Sequence, residues 1–225
     1  MVEPDALEFD AVILAGGRSS RLGGSPKHRL TYDGATLLQR SLDAAGGAGA
    51  AVVVGPDPGV LPAGVINCRE EPPFAGPAAA VAAGLAALAR SGAVRPLTLV
   101  LACDMPNVGM AVRALREALQ LHGPPGERNA PHRPGSSRGR QPLGPDGVMA
   151  VSADGRRQPL VGFYSTPALE RSMQNLESRG ALTNGSMTAL LASLDVQLVT
   201  VPAGSTDDVD TWDDAAALGV ASQEP

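Results

Sequence analysis

The feature that most constrains the fold is an abrupt change from a strand-like run to glycine near the start of the sequence. Residues 12–14 are β-branched or aliphatic and end at Leu14, which is typical of a buried strand. Ala15, Gly16 and Gly17 follow directly, so the backbone N–H groups there can approach a ligand closely and bind an anion. Ligands of open α/β sheets bind at the carboxyl ends of strands, where this loop is expected to lie.

The glycine loop continues into a cationic stretch that contains Arg18, Arg21 and Lys27. A glycine loop with this much positive charge suits a triphosphate. The alternative is an ordinary surface loop with solvated charges. The position of the loop directly after the first predicted strand favours the ligand-binding interpretation.

Two common glycine motifs are excluded by the residues around this loop. A Walker loop requires Gly-Lys followed by Ser or Thr, whereas Lys27 follows Pro26. A dinucleotide-binding fingerprint requires Gly-x-Gly-x-x-Gly opening directly into a helix, which Gly16, Gly17 and Arg18 do not supply. The loop therefore belongs to another class of phosphate-binding site.

A carboxylate follows the clearest central strand of the sequence. Residues 97–102 are almost entirely apolar, and Asp104 comes directly after Cys103. Such a carboxylate is costly at the end of a buried strand unless it is solvated, paired or bound to a metal. An aspartate that caps the following turn is the alternative.

A second candidate anion site lies where an alanine-rich helix is predicted to begin. Pro77 suits the first turn of this helix, and Gly76 permits a close approach just before it. The helix N-terminus presents free N–H groups and a partial positive charge. On these residues alone, a plain packing helix over residues 78–89 is the better interpretation.

Strand and helix patterns run through the rest of the chain. The apolar runs predict further strands at residues 51–54, 65–68, 97–102, 148–151 and 196–201. Helices are predicted after Thr36, from residue 78 to 89, after Asn107, at 167–178 and 187–194, and after Thr211. From residue 122 to 146 the sequence lacks large apolar residues, and a mobile insertion within one domain, residues 1–225, is expected. Its arginines could contact an anionic substrate, but solvated disorder is the favoured explanation.

Composition narrows the classes of partner. The 225 residues are 44% hydrophobic and 18% charged, which is enough apolar sequence for a core. The net charge of −5 argues against a nucleic-acid partner. No apolar run reaches the roughly 20 residues that span a membrane, and the first residues do not resemble a secretory signal, so a cytoplasmic protein is expected. Cys68 and Cys103 lack zinc-ligand spacing and are expected to be small buried hydrophobes.

Four segments together resemble the molybdenum cofactor guanylyltransferase family, a group of MobA-like nucleotidyltransferases. Residues 14–23, LAGGRSSRLG, with Lys27 after them, resemble the signature loop of this family. Residues 102–106, ACDMP, resemble its Cys-Asp-x-Pro motif, and residues 154–160, DGRRQPL, resemble its acceptor segment. The DVDT sequence at 208–211 resembles its penultimate motif. The resemblance implies a three-layer α/β/α, Rossmann-like sandwich of the nucleotide-diphospho-sugar transferase (GT-A-like) type with a mostly parallel sheet.

The resemblance also implies a role for each matching residue. Arg21, Lys27 and Asp104 would be catalytic, and Mg²⁺ would be held by Asp104 with Asp210, which is favoured over Asp208. Gln158, Pro159 and Asp208 would line the acceptor side. The nucleotide would be bound by Leu14, Ala15, Gly16, Gly17, Arg18, Lys27, Gly76, Pro77 and Asp104. Ala75 stands where the family usually has glycine or proline, so this chain departs from the pattern next to Gly76.

The function implied by the resemblance is Mg²⁺-dependent transfer of GMP from GTP to Mo-molybdopterin, with a molybdoenzyme or its chaperone receiving the product. The chain has no Ser/His/Asp or Cys/His arrangement, so direct transfer is expected rather than a covalent enzyme intermediate. A cytidylyltransferase or sugar-phosphate nucleotidyltransferase of the same fold is the first alternative. Relatives that use CTP tend to carry Leu-Ala-Ala-Gly, whereas this chain has Leu-Ala-Gly-Gly at 14–17. The second alternative is a non-catalytic carrier of nucleotide or cofactor.

Overall fold

The chain forms a seven-stranded sheet with helices on both faces. The computed structural model describes residues 7–17, 20–92, 94–122 and 145–222. The strands are β1 (Phe9–Leu14), β2 (Thr31–Tyr32), β3 (Ala35–Thr36), β4 (Ala51–Val54), β5 (Val65–Cys68), β6 (Leu97–Ala102), β7 (Gly147–Val151), β8 (Arg157–Ser165) and β9 (Val196–Thr200). The helices are α1 (Leu37–Ala44), α2 (Pro77–Arg90), α3 (Val108–His122), α4 (Thr166–Ser178), α5 (Met187–Leu191) and α6 (Trp212–Leu218).

The main sheet has the order β5-β4-β1-β6-β8-β7-β9. All its strands run in one direction except β8, which is antiparallel to both β6 and β7. Parallel neighbours require crossover connections, and α2 provides the crossover from the β5 edge to β6. The prediction of a mostly parallel α/β sheet is confirmed.

Both faces of the sheet are covered, because successive residues of a strand point to opposite faces. Ile13 of β1 belongs to a buried cluster with residues of α1 and α3. Its neighbour Val12 belongs to a second buried cluster with residues of α2, α4 and α5. Strands buried on both faces read as continuous apolar runs, which explains the sequences of β1 and β6. The three-layer prediction is therefore confirmed.

A third, smaller apolar cluster joins the segment after β1 to the end of the chain. Backbone hydrogen bonds between Thr31 and Ala221 hold the same two segments together. The Val209 N–H also donates to the Asp104 carbonyl at 3.0 Å. This cluster fixes the residues before α6 beside the carboxyl end of β6. Its buried members are Leu22, Leu30, Leu37, Val209, Ala215 and Val220.

The predicted helix starts at Thr36 and Thr211 are confirmed by their side chains. The Thr36 hydroxyl accepts from the Gln39 N–H at 3.0 Å, and Thr211 forms a reciprocal capping box with Asp214 before α6. The expected insertion at 122–146 lies almost entirely outside the described residues, so that boundary and the single domain at 1–225 stay predictions. Within the described ranges, no helix combines the length and apolar character that crossing a bilayer requires.

Candidate active site

A cavity of about 380 Å³ opens at the carboxyl ends of β1 and β6. Most of the residues that the sequence assigns to nucleotide binding line it together, although they come from four separate segments. They are Leu14, Ala15, Gly16, Gly17, Lys27, Gly76, Pro77 and Asp104. Arg18 lies outside the described residues, as do the arginines of the expected insertion.

The glycine loop is held against the end of β4. The Ala15 N–H donates to the Val54 carbonyl at 2.8 Å. Gly55, with a φ of 155°, follows Val54, and a Cβ atom there would lie 2.8 Å from the backbone of Ala15 and Gly16. Only glycine fits this approach without moving one of the two segments. The loop is therefore positioned by backbone packing, which leaves its own N–H groups near the cavity.

Three carboxylates meet beside this cavity. Asp104 follows β6, and Asp208 and Asp210 lie in the segment before α6; one oxygen from each lies within 4.8 Å of the others. Burial, and then the negative charges of Asp104 and Asp210, raise the pKa of the Asp208 carboxyl. Asp104 Oδ1 is buried and has no hydrogen-bond partner among the described residues. Closely placed carboxylates with a free buried oxygen form a donor set that fits Mg²⁺.

Lys27 connects the cavity to the three carboxylates. Its Nζ lies 3.0 Å from Asp104 Oδ2 and also donates to Asp210. Burial alone would lower the pKa of the Lys27 ammonium, but the charges and hydrogen bonds of Asp104 and Asp210 outweigh it and raise that pKa. Arg21 approaches Asp210 Oδ2 at 3.8 Å with a side chain that is 73% exposed. The structure therefore brings Arg21 and Lys27 to the same carboxylate.

His28, which follows Lys27 in the chain, is 3% exposed, and its Nε2 is buried without a hydrogen-bond partner among the described residues. Burial, followed by the positive charge of Arg29, lowers the pKa of His28. The sequence analysis assigned His28 no role.

Glu70 and Phe74 are cavity residues that the sequence analysis missed. Glu70 is 7% exposed; its Oε1 accepts from the Phe74 N–H at 2.9 Å, and its Oε2 is buried without a hydrogen-bond partner in the described part of the chain. Phe74 has a φ of 65° and is 44% exposed, with the Arg69 guanidinium 5.1 Å from its ring. The only signal in the sequence was two acidic residues before a Pro-Pro pair, which a solvated loop explains equally well.

The acceptor segment lies at the beginning of β8. Met149 of β7 pairs with Gly162, but its neighbour Ala150 pairs with Gln158, so residues 159–161 form a bulge between the two pairs. Pro159 lies in this bulge, where its missing N–H is tolerated, and its carbonyl accepts from the Tyr164 hydroxyl at 2.9 Å. Leu160 lines the cavity, whereas the lining includes neither Gln158 nor Pro159 among the described residues.

Comparison with known proteins identifies the family. The family model of the MobA-like NTP transferase domain matches residues 11–197. The chain belongs to this family. The MobA-like match includes the glycine loop, Lys27 and Asp104, and ends before Asp208 and Asp210. The chain thus carries a nucleotidyltransferase domain, as the resemblance implied. A search of curated proteins gave no match.

Solved structures share the fold of this MobA-like chain at low identity. Molybdopterin-guanine dinucleotide biosynthesis protein A from Archaeoglobus fulgidus has a TM-score of 0.59 and 17% identity, with 93% of this chain and 96% of that chain covered. The 2-C-methyl-D-erythritol 4-phosphate cytidylyltransferase from Thermus thermophilus has a TM-score of 0.60 and 20% identity, and the match covers 94% of this chain and 97% of that chain. The corresponding enzyme from Francisella tularensis has a TM-score of 0.64 and 13% identity, and the match covers 95% of this chain and 99% of that chain. These likenesses extend the fold assignment to nearly the whole chain.

Proposed function

We propose that this chain transfers GMP from GTP to Mo-molybdopterin and releases pyrophosphate. The observation that carries the proposal is the meeting of the glycine loop, Lys27 and three carboxylates at one cavity. A molybdoenzyme or its chaperone would receive the molybdopterin guanine dinucleotide. Molybdopterin as acceptor follows from the family resemblance, and the neighbour named for molybdopterin-guanine dinucleotide biosynthesis is consistent with it.

The reaction is one direct displacement at phosphorus. A terminal phosphate oxygen of the acceptor forms a bond to the α-phosphorus of GTP, and the bond to the α–β bridging oxygen breaks. Pyrophosphate leaves with that electron pair. Such a transfer depends on positioning and charge neutralisation, so it requires no nucleophile from the protein.

The chain supplies these two requirements with different groups. The backbone N–H groups of Gly16 and Gly17 bind phosphate oxygens, while Lys27, Arg21 and Arg18 neutralise their charge. Lys27 is suited to this role because its raised pKa keeps the ammonium charged. Proton transfer to or from this lysine is consequently no part of the proposed reaction.

Asp104 and Asp210 would hold Mg²⁺, with Asp208 close enough to join them. The bound ion would supply positive charge against the triphosphate and the departing pyrophosphate. Two observations support a cation at this position: Asp104 Oδ1 has no hydrogen-bond partner among the described residues, and burial together with the charges of Asp104 and Asp210 raises the pKa of Asp208.

Glu70 supports guanine as the base. Glu70 lines the cavity, and its buried Oε2 is an acceptor without a hydrogen-bond partner among the described residues. Guanine presents adjacent N–H and NH₂ donors on one edge, whereas the equivalent edge of cytosine presents an acceptor beside its single NH₂ group. A carboxylate at this position therefore favours guanine over cytosine.

Cytidylyl transfer is the second candidate, because two structures with the same fold are cytidylyltransferases. It would use Lys27 and Asp104 in the same roles, with CTP as the donor and a sugar phosphate as one possible class of acceptor. A non-catalytic carrier is the third, although binding alone does not require three carboxylates beside the phosphate loop.

Calorimetric titration of GTP and CTP with Mg²⁺ tests the donor. We expect GTP to bind at least about tenfold more tightly than CTP, and Glu70→Gln to reduce that ratio. Glu71→Gln, which changes an exposed neighbour, is the matched control. Preferred binding of CTP would overturn the guanine assignment. Formation of the guanine dinucleotide from GTP and Mo-molybdopterin, lost in Asp104→Ala, would then test turnover.

A further inference from the structure

A second cavity lies between α1 and α3, apart from the candidate active site. Its volume is about 460 Å³, within the roughly 300–1,000 Å³ that is typical of small-molecule sites. In the described part of the chain, it shares no lining residue with the cavity at the glycine loop. Three arginines line it: Arg40 of α1, and Arg113 and Arg116, which share one face of α3. The proposed nucleotidyl transfer uses none of them.

The charge of this cavity is positive and is not compensated by the protein. Asp43 also lines it, but its Oδ1 accepts from the Gln39 amide at 2.7 Å, and among the described residues no carboxylate forms an ion pair with any of the three guanidinium groups. Gly109, in the first turn of α3, lines the cavity too, so the positive end of that helix adds to the charge. Burial lowers the pKa of Arg116, and a nearby anion would stabilise its charged form.

Two of the three guanidinium groups are held in place before any ligand binds. Arg40 Nε donates to the Pro106 carbonyl at 2.5 Å, and Arg116 Nη2 donates to the Gly46 carbonyl at 2.6 Å. Each guanidinium also packs over an aromatic ring, with its Cζ 4.7 Å or 4.8 Å from the ring centroid. An arginine has more N–H donors than these bonds use, so both side chains can bind a ligand with little further ordering. Arg113 is exposed and has no hydrogen-bond or ion-pair partner within the described ranges.

We propose that the cavity between α1 and α3 binds the phosphate group of a small phosphate monoester. The planar guanidinium group matches the spacing of phosphate oxygens and binds them through two parallel hydrogen bonds. A monoester carries about two negative charges near neutral pH, which suits a lining with three arginines and one aspartate. The cavity is larger than a phosphate group requires, and Ala44 and Val112 offer apolar surface to the rest of the molecule. The inference does not depend on the proposed nucleotidyl transfer, because separate residues carry it.

Calorimetric titration with ribose 5-phosphate tests the inference. We expect a Kd below about 1 mM and weaker binding of inorganic phosphate at the same pH and ionic strength. Arg113→Gln should weaken ribose 5-phosphate binding about tenfold, because a charge-assisted hydrogen bond is lost. This variant should fold normally, since the Arg113 side chain is exposed, and circular dichroism checks that it does. Arg90→Gln, which changes an exposed arginine at the end of α2, is the matched control and should bind like the wild-type protein.

A further pair of measurements separates this cavity from the glycine loop, which also suits phosphate. Lys27→Met should leave ribose 5-phosphate affinity unchanged, and in NMR spectra the ligand should shift the amide signal of Gly109 but not that of Gly16. Absence of binding to the wild-type protein, equal binding by Arg113→Gln, or a loss confined to Lys27→Met would each overturn the inference. Equally tight binding of inorganic phosphate would overturn the assignment of a monoester. Failure of GTP to bind, with the effect of Arg113→Gln intact, would instead overturn the proposed function alone.

Discussion

Lys27 determines the charge balance of the site at the scale of single residues. Its ammonium lies between Asp104 and Asp210, which raise its pKa despite the opposing effect of burial. Because the pKa of Lys27 is higher in the folded state than in the unfolded state, its ion pairs contribute their full stabilisation at any pH below the unfolded pKa of about 10.4. This stabilisation is lost only as the pH rises through the higher pKa that Lys27 has in the folded protein. The charge on Lys27 is therefore constant over the range in which enzymes are assayed.

Lys27→Met should reduce kcat/KM for nucleotidyl transfer by about a hundredfold or more. The substitution keeps the length of the side chain but removes the charge that faces the phosphates and carboxylates. Steady-state kinetics with GTP and Mg²⁺ give the measurement, and Arg29→Met controls for loss of a neighbouring exposed cation. Similar kinetics for both variants would show that Lys27 acts only as bulk positive charge.

Burial is the residue property that the sequence could not supply. The glycine loop and Asp104 could be assigned because each directly follows a long apolar run, which marks the end of a strand. Glu70 could not be assigned from the sequence, because it is buried only through the packing of the loop before α2. Asp208 was assigned to the acceptor side and weighed against Asp210 as a metal ligand, and its carboxylate lies with those of Asp104 and Asp210. The run of acidic residues alone does not indicate which of its members meet.

At the scale of elements, two short connections position the residues of the candidate site: the end of β4 beneath the glycine loop and the capped start of α6. The first is set by a glycine backbone contact. The second is set by the capping box of Thr211 and Asp214 together with the third apolar cluster. Small substitutions in these connections should therefore affect the site more than the core.

Gly55→Ala should weaken GTP binding about tenfold while the sheet remains folded. The new Cβ would lie 2.8 Å from backbone atoms of Ala15 and Gly16, so the loop or β4 must shift. Calorimetry measures the affinity, and circular dichroism checks the fold. Gly59→Ala is the control: Gly59 also has a positive φ, of 88°, but its Cβ would meet no atom within 4 Å. Unchanged GTP affinity in Gly55→Ala would contradict the role of this contact.

Thr211→Ala should destabilise the protein by about 1 kcal/mol, because the capping box at the start of α6 is lost. For a chain of this size that corresponds to a fall in Tm of roughly 2–4 °C. Differential scanning calorimetry measures the change, and Thr211→Ser, which keeps the hydroxyl, should restore most of it. The same Tm in Thr211→Ala and the wild-type protein would mean that the cap contributes nothing.

The order of strands and helices was predictable because each element has a strong local pattern, whereas the pairing within the C-terminal half was not. The predicted strand at residues 148–151 corresponds to β7, but the local patterns do not reveal that β8 inserts between β6 and β7. The bulge at residues 159–161 was also hidden, although Pro159 is a residue that favours one. Register depends on neighbours distant in sequence, which local patterns do not report.

At the scale of the whole molecule, we expect stability and metal binding to be linked through the carboxylates. The pKa of Asp208 is raised in the folded state by burial and by Asp104 and Asp210. A raised carboxyl pKa makes folding less favourable as the pH rises above the unfolded value of about 3.9. This destabilisation is complete above the folded pKa and is small, because Asp208 is exposed and its charge is screened.

Asp208→Asn should therefore have a Tm equal to or above that of the wild-type protein in EDTA at neutral pH, and the two should converge near pH 4. Added Mg²⁺ should raise the wild-type Tm more than that of the variant, since ligands stabilise the state that binds them. Thermal melts with and without Mg²⁺ at both pH values test this. Asp207→Asn, an exposed neighbour outside the three carboxylates, should respond to Mg²⁺ like the wild-type protein. An equal Mg²⁺ response in Asp208→Asn would exclude Asp208 from the metal site.

The reversed direction of β8 has a consequence for how the cavity edge of the sheet is assembled. Because β8 runs against β6, its first residues, rather than its last, reach the edge where the cavity opens. The glycine loop, Lys27 and Asp104 precede residue 122, whereas Leu160, Asp208 and Asp210 follow residue 145. The edge is therefore complete only when both parts of the chain fold together, and a fragment that ends before residue 145 would carry the glycine loop without two of the three carboxylates.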